Sequence, residues 1–154
     1  MKKLNTIILM ICFATISFGQ SSIKTDESRI KELIIESFDE IWSKLNSTNI
    51  DKYYTVDFLL LENGELWNND SVSMYLDNAA LKKLIPNRVN SIEFIEVKIL
   101  KGMAWVAYKN QAIFSLENKI IRKAQWLESA TAILTQNGWK LDMLHSTRTK
   151  NEYY

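Results

Sequence analysis

The stretch Gln125 to Thr147, QWLESATAILTQNGWKLDMLHST, decides the fold of this chain. It contains two runs of strand-forming residues on either side of Gln136-Asn137-Gly138, which is typical of a tight turn. It also contains the only histidine, His145, and one carboxylate in a weakly polar run, Glu128. The pattern predicts a closing β-hairpin that carries the side chains best suited to chemistry.

Two registers of this hairpin are compatible with the sequence. If Asn137-Gly138 alone forms the turn, Ala130 lies opposite His145, and Glu128 lies diagonally within reach of the imidazole. That register would form a carboxylate–imidazole pair. It would also set Ile133 against Asp142 on the other face, which is an unfavourable pairing.

In the second register, Gln136-Asn137-Gly138 forms a three-residue turn with a bulge at the glycine. Ile133 then meets Leu141, and Ser129 meets His145. We favour this register, because it makes the inner face more uniformly apolar and a one-residue slip would move every side chain to the wrong face. The inner face would contain Leu127, Ser129, Thr131, Ile133, Leu141, Met143 and His145.

The same register has a consequence for the outer face of the sheet. It places Trp126 and Glu128 there, together with Trp105 of the preceding strand. We expect this surface to join two copies of the chain in a homodimer. Glu128 then loses its claim to a catalytic role.

Working outward from the hairpin, the pattern predicts helices first and strands last. Apolar residues recur at three- and four-residue steps over 26–46, with Thr25 as a cap. Asn63-Gly64 between apolar runs predicts a short hairpin. The remaining elements are a helical turn at 50–54, a helix from 72 to between 78 and 84, and strands over 91–100, 103–114, 120–135 and 139–149.

This order favours an α+β fold in which the helices pack on one face of the sheet. The predicted sheet has four long antiparallel strands plus the short hairpin. Ile95, Val97 and Ile99 should share one face with Ala104, Val106 and Tyr108. Long strands twist and coil, so the sheet should curve around the N-terminal helices and leave a pocket between the two layers.

The first residues have the composition of a signal peptide. Lys2 and Lys3 precede an apolar run over 6–18, and Ser17-Phe18-Gly19 places small residues before a cleavage site. We predict a signal peptide at 1–19, a linker at 20–25, one domain at 26–150 and a tail at 151–154. A retained membrane anchor is the alternative, although the run is short for one. The expected location is periplasmic or extracellular.

Cleavage after Gly19 would change the composition in two ways. It removes the only cysteine, Cys12, so no disulfide, thiol nucleophile or cysteine-based metal site is expected. It also removes two of 19 basic residues and leaves all 18 acidic ones, giving a formal charge of 17 − 18 = −1. We therefore expect no nucleic-acid partner, no metal, no other cofactor and no stable membrane anchor.

The order of elements resembles the nuclear-transport-factor-2-like superfamily, and within it the SnoaL-like branch with its small secreted domains of unknown function. The likeness covers about residues 26–148. Its most specific part is the ending, NGWKLDMLHST (137–147), with turn glycine, tryptophan, basic residue, aliphatic residues and a histidine before hydroxyl residues. Many members have a second histidine where this chain has Met143. That departure disfavours a two-histidine mechanism.

The resemblance implies a cone with an open pocket, and a function as a secreted domain that binds a small, mostly apolar ligand. The expected polar pocket contacts are Tyr108, Ser129 and His145, with Tyr54 and Trp67 also in the lining. The family contains isomerases, dehydratases and hydrolases as well as non-catalytic assembly domains. One alternative is therefore an enzyme with His145 as general base, and another is a dimerisation domain without a working pocket.

Overall fold

The computed structural model describes residues 25–154. The predicted signal peptide and all but the last residue of the predicted linker lie outside this range. The helices are α1 (Asp26–Ser37), a π-helical segment (Phe38–Ser43), a 3-10 turn (Ser47–Asn49), α2 (Ile50–Tyr53) and α3 (Asn69–Ala80). The strands are β1 (Tyr54–Glu62), β2 (Glu65–Trp67), β3 (Asn87–Leu100), β4 (Met103–Leu116), β5 (Lys119–Thr135) and β6 (Gly138–Tyr153).

The first helix forms as its apolar spacing predicts. Thr25 caps it, because its Oγ1 accepts a hydrogen bond from the Ser28 amide at 3.2 Å. The predicted helix over 26–46 changes to π geometry at Phe38, and it has ended by Leu45, which has a φ of 51°. The buried face of this helical region contains Ile30, Leu33, Ile34, Phe38, Ile41 and Trp42.

All six strands form one curved, open sheet in the order β2-β1-β6-β5-β4-β3. The pairs are antiparallel except for β1, which runs parallel to β6. The predicted hairpin is present, with Asn63 and Gly64 at φ of 54° and 83° between β1 and β2. The α+β prediction is confirmed, and the short hairpin extends the same sheet beside the closing strand.

The predicted pairing of β3 with β4 is right for two of three residues. Val97 pairs with Val106, and Ile99 with Ala104. Ile95 falls at an irregularity between Phe94 and Glu96 and is exposed. Its expected place on the same face as Val97 and Ile99 was wrong, because the extra residue shifts the alternation of side chains.

The closing hairpin follows the favoured register only in part. Ser129 pairs with His145 as expected, but Ile133 pairs with Lys140 instead of Leu141. The bulge is at Asp142 and not at Gly138 as predicted. Ala132 pairs with Leu141 and Thr131 pairs with Met143, so Asp142 between them has no partner on β5. Thr55 of β1 donates a hydrogen bond from Oγ1 to Asp142 Oδ1 at 2.8 Å, which anchors the extra residue.

The bulge at Asp142 reverses which residues of β6 point toward the helices. Trp139 and Leu141 are buried before it, and Leu144 and Ser146 are buried after it. The prediction that His145 lies on the inner face was therefore wrong. One additional residue in a strand moves every later side chain to the opposite face.

The face assignment of β5 was wrong in the same way. Trp126 and Glu128 are buried on the inner face. Residues between and after them along β5, such as Ser129, point to the outer face. Trp105 is on the outer face as predicted, and it is exposed. Trp126 and Glu128 thus do not contribute to the outer surface that was expected to form a dimer.

The end of the chain also differs from the prediction. Asn151, Glu152 and Tyr153, which were predicted as part of a tail, continue β6 beside the start of β5. Among residues 25–154, no helix has the length and apolar character needed to cross a membrane.

Candidate functional site

A cavity of about 320 Å³ lies where the π-helical segment, α3 and the inner face of the sheet meet. Its lining combines aromatic rings, three arginines and two glutamates: Phe38, Trp42, Glu62, Asn63, Trp67, Tyr75, Arg88, Phe114, Arg122, Trp126, Glu128, Leu144, Ser146, Arg148 and Tyr153. The volume falls in the range of small-molecule sites. We call this space the inner cavity.

Glu128 is the most unusual group in the inner cavity. It is only 5% exposed and lies between two cross-strand neighbours, Tyr108 of β4 and Ser146 of β6. Ser146 donates a hydrogen bond from Oγ to Glu128 Oε1 at 2.8 Å. The second oxygen, Oε2, has no hydrogen-bond partner in the described chain.

Burial determines the protonation of this carboxyl group. Loss of hydration raises the pKa of Glu128 to about 7, and the hydrogen bond from Ser146 and the charge of Arg88 oppose the rise. Asn110 lies near enough to lower the pKa as well, although neither of its side-chain polar atoms has hydrogen-bond geometry with any partner in residues 25–154. A carboxyl group with a pKa near neutrality can both accept and donate a proton at physiological pH.

Tyr108 lies beside this carboxyl group at the base of the inner face. Burial, and then the negative charge of Glu128, raise the pKa of the Tyr108 hydroxyl well above its usual value. Tyr108 is fully buried, and its Oη lacks a partner in the described part of the chain. A neutral phenol and a titrating carboxyl group are therefore adjacent, and their hydrogen-bonding interaction also contributes to the raised pKa of Tyr108, although the pair does not reach full hydrogen-bond geometry.

Three strands supply the positive charges of the inner cavity: Arg88 from β3, Arg122 from β5 and Arg148 from β6. Arg148 Nη2 lies 3.7 Å from Glu62 Oε1, at the position where β1 runs beside β6. Arg88 is half-buried, and that burial lowers its pKa although it stays charged at neutral pH.

Aromatic side chains form the remaining wall of the inner cavity. Tyr75 of α3 lies between two tryptophans, with ring centroids 6.0 Å from Trp42 and 5.3 Å from Trp67. Trp42 donates its Nε1 hydrogen to Tyr54 Oη at 2.9 Å, which fixes the indole plane. This wall presents flat apolar surface to the cavity.

The predicted pocket residues do not come together in one site. Of the five, only Trp67 lines the inner cavity. Tyr54 and Tyr108 are buried in the core beneath it, where Tyr54 stacks on Phe58 with centroids 3.9 Å apart. Ser129 and His145 are on the outer face.

His145 lines a different groove, of about 450 Å³, on the outer side of the sheet. The β1–β2 hairpin forms the rest of that groove, with Leu61, Asn63, Gly64, Glu65 and Leu66 on one side and Ser146, Thr147 and Arg148 on the other. We call it the outer groove. His145 is exposed in this groove, whereas Glu128 is buried in the inner cavity.

Sequence reasoning missed Arg88, Arg122 and Tyr153 as cavity residues. A signal was present for the arginines, because the chain has only four of them against fifteen lysines. Three of those four line the inner cavity. Arginine is preferred over lysine where a fixed, planar donor is needed. Tyr153 offered no such signal, since it was assigned to a tail.

Metal binding has no visible basis in the described chain. Within residues 25–154, no group of three or more histidine, cysteine, aspartate or glutamate side chains is arranged to hold a metal ion.

Comparison by sequence gives no match with a family model or with a curated protein. Comparison by structure gives many. A nuclear-transport-factor-2-like protein from Cytophaga hutchinsonii is similar with a TM-score of 0.64 at 12% identity, over 81% of this chain and 99% of that one. The hexachlorocyclohexane dehydrochlorinase LinA-type3 from Novosphingobium barchaimii has a TM-score of 0.67 at 9% identity, over 83% and 89%.

A ketosteroid isomerase-like protein from Erwinia carotovora is also similar, with a TM-score of 0.59 at 13% identity over 79% of this chain and 94% of that one. At such identities the likeness establishes the fold and leaves the chemistry open. The resemblance found in the sequence is confirmed at the level of fold. The chain has the nuclear-transport-factor-2-like fold.

Proposed function

We propose that this chain is a small-molecule-binding domain and that its ligand occupies the inner cavity. The observation that carries the proposal is the buried oxygen Glu128 Oε2, which belongs to a residue of the cavity lining and has no hydrogen-bond partner in the described chain. Buried groups of this kind are normally satisfied, so a bound molecule or ordered water is the expected partner.

Native mass spectrometry of the protein purified from its own source tests this proposal. We expect a retained ligand, seen as an added mass that disappears on denaturation. Ser146→Tyr should abolish retention, because Ser146 lines the inner cavity and a tyrosine would fill it. Thr147→Tyr is the matched control, since the next residue points to the outer face and its variant should keep the ligand. Equal retention by both variants would contradict the assignment to the inner cavity.

A second candidate function is proton transfer from carbon, with Glu128 as the base. The buried carboxyl group favours it, because a pKa of about 7 gives substantial ionised base at neutral pH in a poorly hydrated place. Glu128 lines the inner cavity, so a ligand there could reach it.

A generic substrate tests this chemistry without knowledge of the natural one. A base removes the C3 proton of 5-nitrobenzisoxazole, the C–H electron pair completes a nitrile, and the N–O bond breaks to give a phenolate that is followed by absorbance. We expect a rate that rises with pH around 7 and falls at least tenfold in Glu128→Gln. A rate unchanged in Glu128→Gln, or one lost instead in His145→Gln, would exclude Glu128 as the base.

The role of His145 as a general base stays a prediction. At its observed place it would act on a molecule in the outer groove, with Ser129 as its cross-strand neighbour. The His145→Gln variant in the same assay separates the two bases.

Export and dimer formation are further proposals for this domain. For export, the intact mass of the protein from its own source should correspond to a chain that begins at Gln20. For the dimer, the outer face exposes Met103, Trp105 and Leu127, which a second copy would cover. Light scattering should give twice the monomer mass, and Trp105→Lys should reduce it to the monomer value. A monomer at all concentrations would contradict the dimer.

A further inference from the structure

Two of the three arginines in the inner cavity lack an acidic partner. In residues 25–154, neither Arg88 nor Arg122 has a carboxylate within ion-pair distance, whereas Arg148 is paired with Glu62. The Nε of Arg88 donates to Asn90 Oδ1 at 3.0 Å, and the Nε of Arg122 donates to Asn151 Oδ1 at 2.8 Å. Neutral amides therefore orient both side chains without neutralising them.

The outer nitrogens of these guanidinium groups remain available. A guanidinium has five N–H donors, and one of them is used in each bond to an asparagine. No acceptor for an Nη nitrogen of Arg88 or Arg122 is present in the described part of the chain. Each arginine therefore presents a planar set of donors to the inner cavity, the arrangement that matches the two oxygens of a carboxylate.

Both arginines are fixed against the same aromatic ring. The Cζ atoms of Arg88 and Arg122 lie 5.6 Å and 4.7 Å from the centroid of Phe114. Arg88 is also 5.8 Å from the ring centre of Phe38 and 5.6 Å from that of Trp126. Cation–π contacts stabilise the side-chain positions but leave the positive charges uncompensated. Two like charges held near each other attract an anion.

Neighbouring carboxylates do not cancel the charge of this pair. Glu128 and Glu62 favour the charged form of Arg88, but the lining holds three arginines against two glutamates, so its net charge is positive even with both glutamates ionised. A second cavity, of about 170 Å³, is lined by Arg88 and Arg122 and also by Lys82. The two arginines thus separate two cavities, and the surrounding charge is positive.

The same cavity has a large apolar wall. Trp42, Trp67 and Tyr75 form a continuous aromatic surface opposite the polar groups. An inorganic anion would contact the arginines and leave this surface exposed to water. A ligand that uses both parts has an anionic end and a flat apolar body.

We propose that Arg88 and Arg122 together bind the carboxylate of an organic acid whose ring-containing apolar body packs against Trp42, Trp67 and Tyr75. This rests on the proposed ligand-binding function and names the class of ligand. It also revises the expectation of a mostly apolar ligand, since it gives the ligand a negative charge.

Isothermal titration calorimetry with 2-naphthoate and 2-naphthamide tests the proposal, because the two probes share a ring system and differ in charge. We expect 2-naphthoate to bind at least tenfold more tightly. Arg88→Lys and Arg122→Gln should each weaken 2-naphthoate binding about tenfold or more and change 2-naphthamide binding less than threefold. Lys109→Gln on the outer face removes the same charge from the chain and should change neither affinity.

Several results would overturn the proposal. Equal affinity for the two probes would exclude an anion site, and inorganic phosphate binding as tightly as 2-naphthoate would exclude the role of the aromatic wall. Loss of affinity in Lys109→Gln equal to that in Arg122→Gln would show a non-specific charge effect. Absence of binding by either probe would also overturn it, whereas ligand retention in native mass spectrometry would still support the general binding function. Thermal melts of both arginine variants establish that they are folded.

Discussion

Two rows of side chains cross the sheet one residue apart and have opposite environments. The inner row is Tyr108–Glu128–Ser146, and the outer row is Ala107–Ser129–His145. The inner row is buried, and its carboxyl group has a pKa of about 7. In the outer row the titratable group, His145, is exposed. Comparison of the rows teaches that position relative to the core, more than residue type, decides which titratable group loses its hydration.

The rows differ because of the bulge at Asp142. In a regular strand without a bulge, Leu141, Met143 and His145 would lie on one face, as the sequence suggests. With it, Leu141 and Leu144 both contact the core, and His145 points away. The four predictions that follow test this comparison, in decreasing order of expected effect.

Insertion of one alanine between Met143 and Leu144 should have the largest effect. It adds a second extra residue after the bulge, so it would turn Leu144 and Ser146 outward and His145 inward against an apolar core. We expect a loss of at least about 4 kcal/mol in the free energy of unfolding, because a buried leucine is lost and a polar ring is buried in its place. Urea denaturation followed by circular dichroism measures it.

Asp142→Asn is the control for the insertion. It keeps the chain length and an oxygen that can accept the hydrogen bond from Thr55, so its stability should change by less than about 1 kcal/mol. If the insertion variant were as stable as Asp142→Asn, the number of residues at the bulge would not determine the faces of β6.

Glu128→Gln should change the pH dependence of stability. The folded pKa of Glu128 is about 7, above the ordinary value of 4.5, so the folded state binds this proton more tightly than the unfolded state. The associated stability is present below pH 4.5 and is lost as the pH rises through 7. The loss is about 3 kcal/mol for a shift of this size.

The variant should therefore be more stable than the wild type at pH 8 and similar to it at pH 5. Urea unfolding at both pH values measures the difference between the two proteins, in which the titration of other groups cancels. A constant difference from pH 5 to pH 8 would contradict the raised pKa of Glu128.

Ser146→Ala should have a moderate effect, and Thr147→Ala almost none. The first variant removes the hydrogen bond to Glu128 Oε1, which costs about 1–2 kcal/mol and raises the pKa of Glu128 further. Thr147 is exposed on the outer face one residue later. Unfolding at pH 8 compares them, and equal losses would mean that the two rows are energetically alike.

His145→Gln should have the smallest effect of the four. An exposed side chain of the outer row makes few contacts, so the free energy of unfolding should change by less than about 0.5 kcal/mol. Thermal melts should overlay those of the wild type. A loss as large as that of Ser146→Ala would indicate a buried imidazole, contrary to its observed place.

Much of the fold could be predicted from local pattern. The apolar spacing from Ile30 to Trp42, the cap at Thr25 and the Asn63-Gly64 turn each act over a few residues. The order of helices before strands then favoured the correct fold class. The candidate site was less accessible, because its members come from β1, β3, β5, β6 and two helical segments, and only the sheet register brings them together.

The sequence by itself determined the main elements and the closing hairpin, because turn residues and apolar periodicity are local properties. Tertiary structure alone decided the Ser129–His145 pairing, and with it that Glu128 faces the core and His145 faces outward. Both outcomes depend on one bulged residue, Asp142. It is held by a hydrogen bond from Thr55, which lies 87 residues earlier in the sequence, on the neighbouring strand β1. Tertiary structure also brought three of the four arginines to one cavity, because Arg88, Arg122 and Arg148 are neighbours only after β3 to β6 have paired and curved around the helices.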